Sequence, residues 1–341
     1  MAERLPPVDR RQFGGFVAQQ LLALVGAATL PWWLKAGEAQ AQADAPKGGR
    51  HPRAGKPEGN RMERKVNSQP QPAAQAKTLG SVILVKAGAD HLAQALAACP
   101  KGSHLSLEAG EHAGDLTIDK SVTLSGAAGA DAVVVRGSGR GPVLRIDEDG
   151  LAVRLQDLTL TGGIAEAGGG VAVFGRGTVA LINCVLADNQ GGMLGGGGLY
   201  ARAGLLQAEG CRFIRNSGKQ GGAVMLDMAM KAELQRCHFS DNRGEIGGAL
   251  RIAEGADVQI KAGHFKGNLG QDAAVIRASG TRSRQPKLLM EFCDVDRGNL
   301  INGPEIAAQI TLKNCKVPSS WKTVAGVTDG GGNTWKSEKP A

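Results

Sequence analysis

Aromatic side chains are scarce in this chain of 341 residues: they make up 4% of it, and tyrosine occurs once. So few large apolar groups leave no room for a second large core, and one long domain is expected. No Cys-x-x-Cys pair occurs among the six cysteines, which argues against a structural zinc site. Acidic residues do not converge from adjacent segments in the way a calcium site requires, so neither a metal nor a cofactor is expected. The segments left outside the repeats described below are also too few for a membrane-spanning barrel, which needs many alternating runs of about ten residues.

The formal net charge of +8 is concentrated near the N-terminus. Residues 44–77 carry eight Lys or Arg against three acids, residues 1–43 four against three, and the remainder of the chain a net of only +2. A nearly neutral body is no platform for nucleic acid. Residues 44–77 lack large apolar side chains and read as a disordered Pro/Gly-rich basic linker, a solvated spacer more readily than a tether to an anionic surface. Residues 1–43 combine Arg10 and Arg11, an apolar stretch, and Ala-x-Ala sites ending at Ala41 or Ala43. This tripartite segment looks like a twin-arginine export signal, although Asp9 and Gly14 depart from the usual pattern. Gln19, Gln20 and Pro31 make it a poor membrane anchor. A cleaved, exported chain with no transmembrane segment in its mature form is expected, whether periplasmic, secreted or at the cell surface.

Glycine is what the chain has in plenty, with 51 residues, and it recurs in a pattern. "CVLADNQGGMLGGGGLYAR" begins at Cys184, "CRFIRNSGKQGGAVMLD" at Cys211, "CHFSDNRGEIGGALRIA" at Cys237 and "GHFKGNLGQDAAVIR" at Gly263, in steps of 27, 26 and 26 residues. A fixed period of this size belongs to a stacked architecture whose units bury their apolar side chains only against their neighbours. Each unit holds three short aliphatic or β-branched runs separated by Gly, Asn and Asp, which predicts three strands and three corners per coil. Stacked coils convert the repeats into columns about 4.8 Å apart. Cys184, Cys211 and Cys237 form one inward column, and Leu186, Phe213, Phe239 and Phe265 form another two residues on. Asn189, Asn216, Asn242 and Asn268 are expected at a corner, in the left-handed conformation that Asn tolerates, with their amides in a ladder. The Gly221–Gly222 pair serves the next bend. Stacked cysteines have Cβ atoms about 4.8 Å apart, too far for the roughly 3.8 Å of a disulfide, so buried free thiols are expected.

With its F-x-x-N and GGA pieces, the chain resembles the right-handed parallel β-helix proteins of the pectin-lyase-like superfamily. The repeats are similar to those of polymorphic outer-membrane proteins. The upstream "DHLAQALAACPKGSHLSLEAGEHAGDLTIDKSVTLSG" looks like the short N-terminal capping helix and first strands of such domains. The resemblance implies an all-β, right-handed parallel β-helix solenoid over residues 78–341. It implies no particular chemistry, because the superfold hosts lyases, hydrolases, esterases and adhesins.

Registering the strands places Gln207, Glu233 and Gln259 in one outward column and Glu209, Gln235 and Lys261 in the next. The strand after the cysteine exposes Arg212, His238 and His264. Together they predict a polar strip along one flank, a candidate site for polysaccharide or cell-envelope material. Glu209 and Glu233 are diagonal neighbours, about 7–8 Å apart at Cβ, within the roughly 6.5–9.5 Å carboxyl separation of an inverting glycosidase. Against catalysis stand the absence of an obvious sugar-stacking platform and the flat, solvated setting, which gives neither acid a reason for a raised pKa. The expected function is a non-catalytic glycan- or envelope-binding module. The alternatives are a polysaccharide lyase or inverting glycoside hydrolase with Glu209 and Glu233 as acid and base, and an accessory protein for another exported factor.

Overall fold

In the computed structural model the described residues are 82–337, apart from 229, 282 and 304–306. The export signal and linker read in residues 1–43 and 44–77 lie outside them. The described chain winds as a right-handed parallel β-helix. Three long parallel sheets carry it: eleven strands in sheet I, from Val82–Val85 to Val327–Asp329; ten in sheet II, from Gly110–Ala113 to Thr334–Lys336; and eight in sheet III, from Leu116–Ile118 to Leu300–Asn302. One coil shows the path. Leu205–Glu209 lies in sheet I, Arg212–Ile214 in sheet II and Val224–Asp227 in sheet III, and Lys231–Gln235 then pairs beside Leu205–Glu209 in sheet I. The middle coils add a fourth element: Ser217–Gln220 belongs to a five-stranded sheet IV that runs from Ile164–Ala167 to Leu269–Gly270 between sheets II and III.

The columns take the predicted register. Leu186, Phe213, Phe239 and Phe265 are paired directly across neighbouring strands, and the phenyl rings stack 5.0 and 4.7 Å apart. Cys184, Cys211 and Cys237 are buried, unpaired thiols. Through Gly263 the same column continues to Cys293 and Cys315, whose neighbours keep the ladder of backbone bonds.

The asparagines form a buried ladder, but not in the conformation expected of them. Asn216 Nδ2 donates to Asn242 Oδ1 at 3.1 Å, and Asn242 Nδ2 to Asn268 Oδ1 at 2.9 Å. The left-handed residue is the one before each asparagine: Asp188, Arg215, Asp241 and Gly267 have φ of 57°, 51°, 56° and 63°. The corner needs two things at once, a reversed backbone and an inward amide, and adjacent residues divide them. The next bend does need glycine. Gly221 has a φ of 66°, and a Cβ on Gly222 would stand 2.3 Å from the Gly248 carbonyl oxygen of the next coil.

Both ends of the core are closed. The helix α1, His91–Ala98, is rich in the strong helix former alanine and turns Leu92 and Leu96, one turn apart, onto the first coil. Lys120 Nζ donates to its Leu96 carbonyl at 3.0 Å, a cation placed at the negative end of the helix. At the other end the 3-10 turn Ser319–Thr323 inserts Trp321, which is fully buried and donates from Nε1 to the Gly298 carbonyl at 2.8 Å. Trp321 is therefore a plug and no part of any binding surface.

Candidate functional site

The strands Leu205–Glu209, Lys231–Gln235 and Asp257–Lys261 run in unbroken register. This sets Gln207, Glu233 and Gln259 in one column of sheet I and Glu209, Gln235 and Lys261 in another. Glu209 and Glu233 are diagonal neighbours there. Accessibility varies along the columns: Gln259 and Lys261 are exposed and Glu233 and Gln235 half-buried, whereas Gln207 is 7% exposed. Gln207 does not belong to an accessible strip. Alternation decides which side of a sheet a residue occupies, and the lengths of its cross-strand neighbours decide how much of it stays uncovered. Glu209 accepts from the Arg236 guanidinium at the following corner, so the carboxylate is committed to an ion pair.

Arg212, His238 and His264 are exposed but belong to sheet II. The corner between the sheets passes through left-handed residues, Gly210, Arg236 and Ala262, with φ of 63°, 51° and 52°. The polar residues are thus divided between two sheets, and the predicted single strip is two separate surfaces. On sheet II the imidazoles of His238 and His264 stack 4.8 Å apart. They line an open groove of about 450 Å³ with Ser240, Lys266, Asp294, Asp296 and Lys336. Burial holds the His238 imidazole below the usual histidine value, and His264 and Arg212 push the same way.

A second cleft, which the sequence reading missed, lies on the outer side of sheet III and its turn into sheet I. Beside it, Arg145, Ala172, Tyr200, Met225, Arg251 and Arg277 form the central column of sheet III. Phe174 packs against Tyr200 with ring centroids 5.3 Å apart, and the Arg145 guanidinium lies 4.7 Å over the Phe174 ring. Tyr200 is nearly buried behind Phe174, and burial raises its phenol, with Asp227 adding to the effect. The cleft measures about 470 Å³ and is lined by Phe174, Arg176, Arg202, Met228, Arg284 and Asp149. Its three arginines are exposed. Among the described lining residues the one carboxylate, Asp149, accepts from the Arg176 backbone N–H at 2.6 Å.

Deeper in the column, Arg251 donates to the Ile252 carbonyl at 2.7 Å and to Ser279 Oγ at 2.8 Å, and Arg277 pairs with Asp272 at 2.7 Å. Burial, then the like charge of Arg277, lowers Arg251 to about 10, so it stays cationic at neutral pH. One signal for the cleft was present in the sequence. Phe174-Gly175-Arg176 and Tyr200-Ala201-Arg202 repeat an aromatic-x-Arg triplet. The two copies are offset by two residues in register, because Tyr200 pairs with Ala172, and that offset brings the two rings into diagonal contact. Among the described residues no group of three or more His, Cys, Asp or Glu is placed to hold a metal ion.

No protein-family model matches the chain, and no curated protein does. Solved structures match it in fold. A pectin methylesterase from carrot is 13% identical, with 78% of this chain and 91% of the other covered and a TM-score of 0.52. The pectin methylesterase PemA from Erwinia chrysanthemi is 12% identical, covering 77% and 94%, with a TM-score of 0.45. An alginate lyase from Paenibacillus sp. str. FPU-7 is 13% identical, covering 74% and 97%, with a TM-score of 0.41. At these identities the likeness concerns the backbone and carries no residue roles across. The chain has the right-handed parallel β-helix fold of the pectin-lyase-like proteins.

Proposed function

We propose that the chain is an exported, non-catalytic module that binds an acidic polysaccharide in the cleft of sheet III. The observation that carries this reading is the pairing, in one open cleft, of an apolar aromatic wall with an excess of guanidinium groups. Phe174, backed by Tyr200, supplies the wall, and among the described lining residues Arg176, Arg202 and Arg284 stand against one carboxylate, Asp149. Ligand sites combine an apolar surface with a few convergent polar groups. Guanidinium groups pair with carboxylates in a bidentate fashion and are the residues of choice where such groups are recognised. The carboxylates of Glu209 and Glu233 lie on sheet I, outside the residues lining this cleft, and Glu209 is tied to Arg236. A hydrolytic or eliminating centre needs acid, base and orienting groups around one cleft, and this arrangement does not supply them.

Glycan-array binding together with an assay for released reducing ends tests the reading. The expected result is retention of uronate-bearing glycans, no release of ends, and at least about tenfold weaker binding in Arg176→Ala/Arg202→Ala, since one such contact contributes about 1.5–3 kcal/mol. Turnover that vanishes in Glu209→Gln or Glu233→Gln would instead establish the enzyme alternative. Absence of glycan binding, with retention of another exported protein, would favour the accessory role.

A further inference from the structure

The groove of sheet II has an arrangement that the cleft of sheet III does not explain. His238 and His264 occupy adjacent rungs of one column, stacked nearly parallel at 4.8 Å and 13°, and both are exposed. Two neutral imidazoles rest together at this distance without penalty. Two imidazolium rings repel each other, and an anion bridging them removes the repulsion by making charge-assisted hydrogen bonds to both.

The charges around the pair leave room for such an anion. Arg212, next in the column, is paired with Asp131 at 2.6 Å. Asp294, on the other side of His264, is paired with Lys336. Lys266 and Asp296 both line the groove and oppose one another in sign, and Lys316 stands one rung beyond Asp294 in the column. At neutral pH the groove therefore has little net charge. Protonating the two imidazoles adds two positive charges; Asp294 is already paired with Lys336, which leaves Asp296 to match only one of them.

We propose that the sheet II groove is a second binding site, for an oxyanion group such as a carboxylate or sulfate substituent, which protonation of His238 and His264 switches on. The site is separate from the cleft of sheet III and holds whether or not that cleft binds glycan. Because burial and neighbouring charge keep the His238 imidazole below the usual histidine value, the site fills in mildly acidic medium and empties near neutrality. Histidine is the side chain whose ordinary titration lies closest to that window.

Inorganic sulfate is a suitable probe, because it stays fully ionised from pH 5.0 to 7.5 and only the protein changes charge. Proton uptake linked to binding changes affinity up to tenfold per pH unit for each proton taken up. The full chain is therefore expected to bind sulfate at least about tenfold more tightly at pH 5.0 than at pH 7.5. By reciprocal linkage, sulfate raises the midpoints of the His238 and His264 C2–H resonances in an NMR titration. His238→Gln/His264→Gln, at exposed positions that the core does not use, is expected to abolish the pH dependence. Arg176→Ala/Arg202→Ala in the other cleft is expected to leave it intact. Unmoved histidine midpoints with sulfate present, or a pH dependence that survives the histidine substitutions or disappears with the arginine ones, would overturn the proposal.

Discussion

Replacing Asn242 by alanine tests the ladder that joins the coils. Asn242 is fully buried, and its side chain is used on both sides. Its Oδ1 accepts from the Asn216 backbone N–H at 2.9 Å and from Asn216 Nδ2 at 3.1 Å. Its Nδ2 donates to the Phe213 carbonyl at 2.9 Å and to Asn268 Oδ1 at 2.9 Å. Alanine removes all four bonds. Asn268 Oδ1 keeps the Asn242 backbone N–H, at 3.1 Å, and Asn216 Nδ2 keeps the Leu186 carbonyl, at 2.8 Å. The Phe213 carbonyl keeps its place in the ladder between Arg212–Ile214 and His238–Ser240, so the loss falls mainly on the Asn216 backbone N–H. A buried group left without its partner costs about 1–3 kcal/mol, so Asn242→Ala is expected to destabilise the domain by about 2 kcal/mol.

The control is Asp241→Gly, one residue earlier. Position 241 has a φ of 56°, which glycine adopts without strain, so this variant is expected to stay within about 1 kcal/mol of the parent. Urea unfolding monitored by circular dichroism reads both values, since the midpoint shifts with stability at constant slope. A loss below about 1 kcal/mol for Asn242→Ala would refute the account, because water or a relaxed backbone would then have replaced the ladder.

Phe239→Ala empties the middle of a three-ring stack with centroids 5.0 and 4.7 Å from its neighbours; a loss of about 3–5 kcal/mol in the same unfolding assay is expected, as for other buried aromatics. The six cysteines are buried and unpaired, and burial pushes the Cys184 and Cys211 thiols well above their ordinary value. Mass spectrometry after iodoacetamide at neutral pH should find them unmodified in the native protein and all modified in urea, and rapid native labelling of Cys184 or Cys211 would contradict their place in the core. For export, the mature N-terminus is expected just after Ala41 or Ala43, and Lys at both Arg10 and Arg11 should block transport, because lysine keeps the charge but not the guanidinium. Undiminished export of that variant would indicate the general secretory route instead.

The repeat of 26 or 27 residues was enough to specify a coil, its three strands and the columns of Cys, Phe and Asn, because a stacked fold places residues one period apart beside each other. Local spacing also specified which residues of each short strand point inward, since that follows from alternation alone. The division of the corner between Asp241 and Asn242 was harder to see, because both residue types tolerate a left-handed backbone and only the demand for an inward amide assigns the roles. The surfaces were decided by tertiary structure. Gln207 is covered although its column faces outward, Arg212, His238 and His264 are turned onto another sheet by the corner at Gly210, Arg236 and Ala262, and Phe174 meets Tyr200 only because the register slips by two residues. Periodicity is a property of the chain and can be read from it, whereas exposure and side-chain convergence depend on corner angles, register offsets and the lengths of neighbouring side chains, which exist only once the coils are stacked.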